Sequence, residues 1–293
     1  SLAGGCPFQA GSRGFVSFPA PVAEDKVRGN PEKFADHYTQ ARLFYESQTP
    51  VEQRHMEAAF RFELSKLTVP AIRLRMLSSL ANVSPKLAGA VAQGLGLEVP
   101  PAMPRAMSGE VRPEVTASAM LSLTARPGEG GIRTRRIAML VAPGVVSGSL
   151  QAVRAALVEA GAVALLVGAR LGPCEASDGA ALDVDATLEN SPSVVFDAVV
   201  LPDGNEAAAG LIASAQAQEF VKLAYRHCKT LMAIGAGGEV LSALGIEVQL
   251  PDGSADPGVI RSGPDDAERG TAAFIEAVAR HRHTERDVDP PRV

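Results

Sequence analysis

The sequence predicts an α/β protein, a small α-helical subdomain followed by a doubly wound parallel sheet domain. Three observations predict it. Residues 31–97 carry apolar side chains at helical spacing behind recognisable helix starts. Residues 98–133 are broken throughout by Pro and Gly. From residue 134 onward, short apolar runs alternate with amphipathic stretches, the rhythm of strand–helix–strand units.

The first stretch, to about Val22, is rich in Gly, Pro and Phe and reads as extended. Phe8, Phe15 and Phe18 would be poorly solvated on their own, so the strip is expected to lie on a larger body. Helices follow. Thr49-Pro50-Val51-Glu52 is a capping box with Pro at the first helical position, and Met56, Ala59, Phe60, Leu64 and Leu67 make an apolar face behind it. Pro70 opens a second helix carrying Ile72, Met76, Leu77 and Leu80. Ser84-Pro85 starts another, with Leu87, Val91 and Leu95 four apart, and Gly94 and Gly96 end it. Between Glu98 and Gly131, Pro100, Pro101, Pro104, Pro113 and Pro127, with Gly128, Gly130 and Gly131, predict a linker.

The second half is read strand by strand. Ile137–Val141 is a continuous apolar run, as a strand buried on both faces requires. Ser149–Ala160 is an amphipathic helix with Val153, Leu157 and Val158 on one side, and Val163–Val167 is the next buried strand. Asp178-Gly179 between short alternating pieces predicts a β-hairpin insertion. Ala198–Leu201, Leu231–Ile234 and Val259–Arg261 are further strands; Gln216–Tyr225 and Thr271–His281 are helices. This alternation implies helices on both faces of a parallel sheet, a flavodoxin-like doubly wound fold.

Composition narrows the function classes. A net charge of -5 without Lys/Arg clusters argues against a nucleic-acid surface. No apolar run is long enough to span a bilayer. The three cysteines, Cys6, Cys174 and Cys228, are too sparse for a disulfide framework and contain no Cys-x-x-Cys, which reads as a reduced cytoplasmic protein. The start, Ser1-Leu2-Ala3-Gly4-Gly5-Cys6, has neither a basic stretch nor an initiator Met and reads as a cloning or processing boundary rather than a signal peptide.

The first hundred residues carry a resemblance. Gly5-Cys6-Pro7-Phe8, Pro21-Val22, Lys26-Val27-Arg28 and Phe34-Ala35-Asp36-His37-Tyr38 come first. Gln40-Ala41-Arg42-Leu43-Phe44, Thr49–His55, Phe62–Lys66, Leu80-Ala81-Asn82-Val83 and Gly94-Leu95-Gly96-Leu97 follow. In this order and spacing they resemble the region after the haem-bearing barrel of catalases, and a linker plus flavodoxin-like domain behind them resembles the large-subunit branch. The resemblance implies four parts: 1–30 from the end of the catalase core, 31–97 helical, 98–133 linker and 134–293 flavodoxin-like. It implies a parent that is a homotetrameric haem enzyme degrading hydrogen peroxide to water and oxygen. It also implies that the distal His and Asn and the iron-ligating Tyr precede Ser1. The chain itself is then an accessory region, inactive alone and holding no cofactor. Its partners are the haem barrel and the sister subunits, with no nucleic acid and no membrane. Arg42-Leu43-Phe44-Tyr45 imitates the iron-ligand motif, but Arg and Tyr stand three apart rather than four, so Tyr45 is read as a packing residue.

The second half also resembles the class I glutamine amidotransferase-like proteins. Active members place a Cys, often followed by His, on a sharp turn after a strand, beside amides that stabilise an oxyanion. Here the turn reads Ala233-Ile234-Gly235-Ala236-Gly237-Gly238. Gly235 stands at the Cys position and Ala236 at the His position, and the turn after the first strand, Pro143-Gly144-Val145-Val146, lacks the family's acid. Catalytic residues are therefore expected to be absent. Gly144, Gly235, Gly237 and Gly238 could cradle a small anion or simply let the turns close. The competing functions are a divergent amidotransferase-like hydrolase, or a chaperone-like or small-anion-binding module.

The remaining candidates have plain readings. His37 and His55 lack further ligands at metal spacing. His281 and His283 sit among Arg280, Arg282 and Arg286, as in a solvated helix end. His227 and Cys228 are adjacent and cannot face each other on a helix, and Cys174 is expected to be exposed near the hairpin.

Overall fold

Pro50, Pro70 and Pro85 each stand in the first turn of a helix, where the fixed φ is already helical and the missing N–H has no partner to lose. The computed structural model describes residues 17, 19–107, 111, 113–125, 129–250, 252–263 and 266–287, without the side chains of residues 32, 267 and 268. Cys6, Phe8, Phe15 and Phe18 lie outside the described residues. The described residues divide into two compact units at about residue 126.

The first unit contains α1 (Thr39–Glu46), α2 (Pro50–Ser65), α3 (Pro70–Val83) and α4 (Pro85–Gly94). Its core gathers Tyr45, Leu64, Leu77, Leu80, Leu87 and Val91. Each fully buried Leu contributes roughly 1.5–3 kcal/mol of transfer free energy. The apolar faces are narrower than their spacing suggests. Ala59 on α2 is exposed, and so are Ile72 and Met76, because α3 packs on α1 and α4 along a stripe centred on Leu77 and Leu80.

Glu52 does more than complete the capping box. The Thr49 N–H and hydroxyl both donate to its Oε2 (2.9 Å each), as does the Ser122 hydroxyl (2.7 Å). The Leu123 N–H donates to Oε1 at 2.9 Å. Burial alone would raise this carboxyl; the donors, led by Ser122 and Thr49, outweigh it and hold the pKa at about 2. Farther along, the Ser78 hydroxyl donates to the Pro101 carbonyl (2.7 Å) and Asn82 Nδ2 to the Met103 carbonyl (2.7 Å). The Pro-rich stretch after α4 is thus tied to the helices at both ends, while residues 113–117 between the ties are exposed. Limited proteolysis of the whole chain should cut first between Glu98 and Gly131, within the exposed 113–117 stretch, and leave the part from about residue 134 folded. Glu52→Gln should spread cleavage into 118–125. A first cut elsewhere, or unfolding of the sheet unit after cleavage, would refute this division.

In the second unit β1 (Arg136–Leu140), β2 (Val163–Gly168), β5 (Ala186–Thr187), β6 (Ala198–Leu201), β7 (Thr230–Ile234) and β8 (Val259–Ser262) form one parallel sheet in the order β5-β2-β1-β6-β7-β8. Apart from the edge strand β5, this is the flavodoxin-like order. Along β1 the side chains alternate: Ile137 and Met139 join one apolar layer, Ala138 and Leu140 the other. Helices α5 (Ser147–Glu159) and α9 (Ala267–Ala279) cover the first face. The second is covered by α6 (Asn205–Ala213), α7 (Ala215–Arg226) and α8 (Gly237–Ala243). The predicted hairpin is β3 (Gly172–Glu175) against β4 (Ala181–Val184), with Gly179 at φ +80° in its turn.

Two elements escape the sequence reading. β5 is two residues long, and α6, Asn205-Glu206-Ala207-Ala208-Ala209-Gly210-Leu211-Ile212-Ala213, is too uniformly apolar to show a helical period. Val158 points outward at 54% exposure; Leu150, Val153 and Leu157 form the buried stripe of α5 instead.

Candidate functional site

Three turns converge where the chain reverses its direction of travel across the sheet, at the C-terminal ends of β1, β6 and β7. In open α/β sheets this crevice is where ligands bind. The β1 turn, Pro143–Val146, is clamped: the Gly144 N–H donates to the Glu175 carbonyl and the Val146 N–H to the Asp203 carbonyl, both at 2.9 Å. Gly144 has φ +82°, and a Cβ there would run into the Glu206 side chain. Gly204, at φ +118°, lies so close to the Gly144 carbonyl that only glycine fits.

The β7 turn is the predicted elbow. Gly235 has φ +49°, and its missing Cβ would coincide with the Asp203 carboxylate. Asp203 Oδ1 accepts the Ala236 N–H (2.8 Å) and its own neighbour's N–H, Gly204 (2.9 Å). The Gly235 N–H donates to the Ser262 carbonyl (2.9 Å) and the Gly238 N–H to the Gly235 carbonyl (3.1 Å). A Cβ on Gly237 would press on the carbonyls of Leu201 and Pro202, so this glycine lets α8 approach β6. A carboxylate from the β6 turn therefore sits in the space that a residue-235 side chain would need, and holds an amide that an anion would need.

Sequence reasoning missed Asp203 and Glu206. The signal was available: an Asp two residues after the buried run Ala198–Leu201, behind Pro202, must emerge at the sheet's C-terminal edge. What the sequence does not reveal is that it crosses to the neighbouring turn.

The two cysteines among the described residues stand apart from this elbow. Cys228 precedes β7, so a whole strand, roughly 15 Å, separates it from Gly235. It is buried, and burial pushes its thiol up to about 11. Cys174, expected to be exposed, is buried in β3 opposite Leu182, and burial raises its thiol as well. No cluster of three or more His, Cys, Asp or Glu suited to a metal exists among the described residues. No helix among them is long and apolar enough to cross a membrane.

Tyr45, the one residue that imitates an iron ligand, does not fit haem. It is 1% exposed in the helical core, its hydroxyl donates to Glu57 Oε1 (3.1 Å), and burial together with Glu57 pushes its pKa up to about 12. An iron-ligating phenolate needs the opposite, an open face and a lowered pKa.

The fold and this turn describe a doubly wound domain in which Asp203 lies across Gly235 at the C-terminal end of β7. The family model for the C-terminal domain found in long catalases matches residues 133–287, and that for the catalase-related immune-responsive family matches residues 31–95. The chain belongs to the long, large-subunit catalases and corresponds to their C-terminal region. It is 36% identical over 282 residues to catalase HPII of Pseudomonas putida, across 96% of this chain and 37% of that relative. It is 38% identical over 250 residues to catalase C of Rhizobium meliloti, across 85% of this chain and 35% of the relative. With catalase HPII of Mycobacterium avium the identity is 35% over 296 residues, 99% of this chain and 41% of that one. The chain thus spans about two fifths of the length of these curated relatives.

Proposed function

We propose that this chain is an accessory, structural region of a hydrogen-peroxide-degrading haem catalase, and that it carries neither the haem site nor the catalytic groups. The observation that supports this most is the filled elbow: Asp203 lies across Gly235 and takes the Ala236 amide, so the fold's customary acyl-transfer position has no nucleophile and no room for one. The internal bonds made by the Gly144, Gly235 and Gly238 amides favour turn closure over anion binding at these glycines.

The helical unit supports docking onto the rest of a longer catalase chain. Phe34 is 73% exposed and Phe62 63%, with Ile72, Leu74 and Met76 also outward. Large apolar side chains so placed mark contact surfaces. The partners in this reading are the haem barrel and the sister subunits of a homotetramer in the cytoplasm, and the process is defence against oxidative stress.

Two assays test the reading. Titrated with haem, the chain should give no stoichiometric Soret band and release no oxygen from peroxide; a Soret band with oxygen release would overturn it. Offered generic ester, amide and glyoxal substrates, the chain should show no turnover above background. Turnover lost in a Cys6→Ser/Cys174→Ser/Cys228→Ser variant would reveal a recruited thiol, and turnover that persists in it would reveal another nucleophile; either result replaces the structural reading with the hydrolase.

A further inference from the structure

The C-terminal segment is not a solvated tail. After α9 the chain turns back and runs under the N-terminal ends of β7 and β8, the sheet edge opposite the crevice. The His283 N–H donates to the Cys228 carbonyl (2.8 Å), and His283 Nε2 pairs with the Thr230 hydroxyl (2.9 Å). Arg286 grips Asp256 through two bonds, Nε to Oδ2 (2.6 Å) and Nη2 to Oδ1 (2.8 Å), and donates from Nη1 to the Lys229 carbonyl (2.6 Å). Its guanidinium lies 4.6 Å from the centre of the Tyr225 ring. Gly258 completes the seat, since a Cβ there would collide with both His283 and Arg286.

We infer that this segment, His281–Asp287, is a clasp that acid opens through protonation of His283. The geometry leaves no place for a second proton. The ring is 0% exposed, and Nδ1 has no hydrogen-bond partner among the described residues. One nitrogen faces Thr230; a doubly protonated ring would present an N–H and a positive charge to nothing. Of the two carboxylates that act on it, Glu285 is paired with Arg280 (3.1 Å), and Asp256 already accepts two bonds from Arg286 and the Gly258 N–H (2.9 Å).

The charged surroundings add to this. The tail itself supplies Arg280, Glu285 and Arg286 around His283, Asp256 comes from before β8, and Lys229 and Cys228 stand before β7, with Tyr225 on α7. Lys229 is buried with its ammonium bonded to the carbonyls of Ser193 and Phe196, so its charge is directed away to that loop. Burial first, then the Arg286 and Arg280 charges, hold the His283 ring well below an ordinary imidazole, at about 4. His281, half-buried beside Arg282, Arg135, Asp197 and Lys229, is held at about 4 chiefly by burial and is the rival proton site.

The sign follows from which state takes up the proton. The released ring binds one near pH 6.5 and the clasped ring only near 4, so closure is fully favoured above about pH 6.5 and weakens steadily as the pH falls toward 4. Opening should rise by up to about tenfold per pH unit in that window, roughly 30-fold between pH 7.5 and 5.0 for this one ring. Release frees the carbonyl of Cys228, Thr230 and Asp256 at the sheet edge.

The test is hydrogen exchange of the 281–287 amides in the whole chain at pH 7.5 and 5.0, corrected for intrinsic exchange. Protection should fall by roughly 30-fold from pH 7.5 to 5.0 in the native protein and in His281→Gln, and His283→Gln should lose most of the pH dependence. Equal protection at both pH values, or full pH dependence surviving in His283→Gln, would overturn the clasp. Should His283→Gln leave the segment open at every pH, NMR titration of the native His283 ring decides. A ring that protonates together with loss of tail protection upholds the proposal; one that protonates near pH 6.5 while the amides stay protected refutes it.

Discussion

Asp256→Ala is expected to destabilise the sheet unit by about 3–5 kcal/mol, the usual cost of stranding one partner of a buried ion pair. Both side chains of the Arg286–Asp256 pair are essentially sealed, at 3% and 0% exposure. Removing the carboxylate leaves a guanidinium, which cannot be deprotonated, among Tyr225, Gly258 and the Lys229 carbonyl. It also strips the acceptor from the Gly258 N–H. Denaturant unfolding followed by far-UV circular dichroism reads the loss. The double variant Asp256→Leu/Arg286→Met should recover most of it, because an apolar pair of similar volume carries no desolvation cost. A single variant within 1 kcal/mol of the native protein would show that the pair is open to solvent.

The second large effect is expected at the elbow. Gly235→Cys should cost about 2–4 kcal/mol, combining a left-handed backbone at φ +49° with overlap onto the Asp203 carboxylate. Asp203→Gly in the same chain should restore part of that loss, so the two changes are strongly non-additive. Additive effects in a double-mutant cycle would mean that Asp203 does not occupy the space above Gly235. The double variant regains room for a thiol yet still has Ala236 at the neighbouring position and Val145 and Val146 on the first turn, so it is expected to gain no hydrolytic turnover.

Much of the architecture was legible because its signals are local. Pro50, Pro70 and Pro85 start helices by covalent geometry, and the short runs Ile137–Val141, Val163–Val167, Ala198–Leu201 and Leu231–Ile234, repeated between amphipathic stretches, match strands of a sheet buried on both faces. That Gly235 and Ala236 follow the run Leu231–Ile234 was equally legible, since residue type needs no coordinates. Legibility failed where burial on one side had to be guessed. Val158, Ile72 and Met76 match a helical period as well as their buried neighbours do, and only packing partners distinguish them. It failed again for Ala/Gly-rich α6, which has no polar face to set a period.

The tail shows the limit most sharply. Arg280–Arg286 reads as solvated because charged residues are rarely buried, and His283 was expected among them in water. In the structure Asp256, 30 residues away, supplies the acceptor that makes burial of Arg286 tolerable, and the hydroxyl of Thr230, 53 residues away, is the side-chain partner of His283. The sequence by itself determined the family and most of the order of helices and strands, which follow from residue type and short-range spacing. Only the tertiary structure decided that Asp203 crosses to Gly235, that Glu52 gathers Ser122 and Leu123, and that a cationic tail becomes a buried clasp. Each of these joins a polar group to a partner distant in the chain, and the free energy of burying such a group depends on that partner rather than on the residue itself.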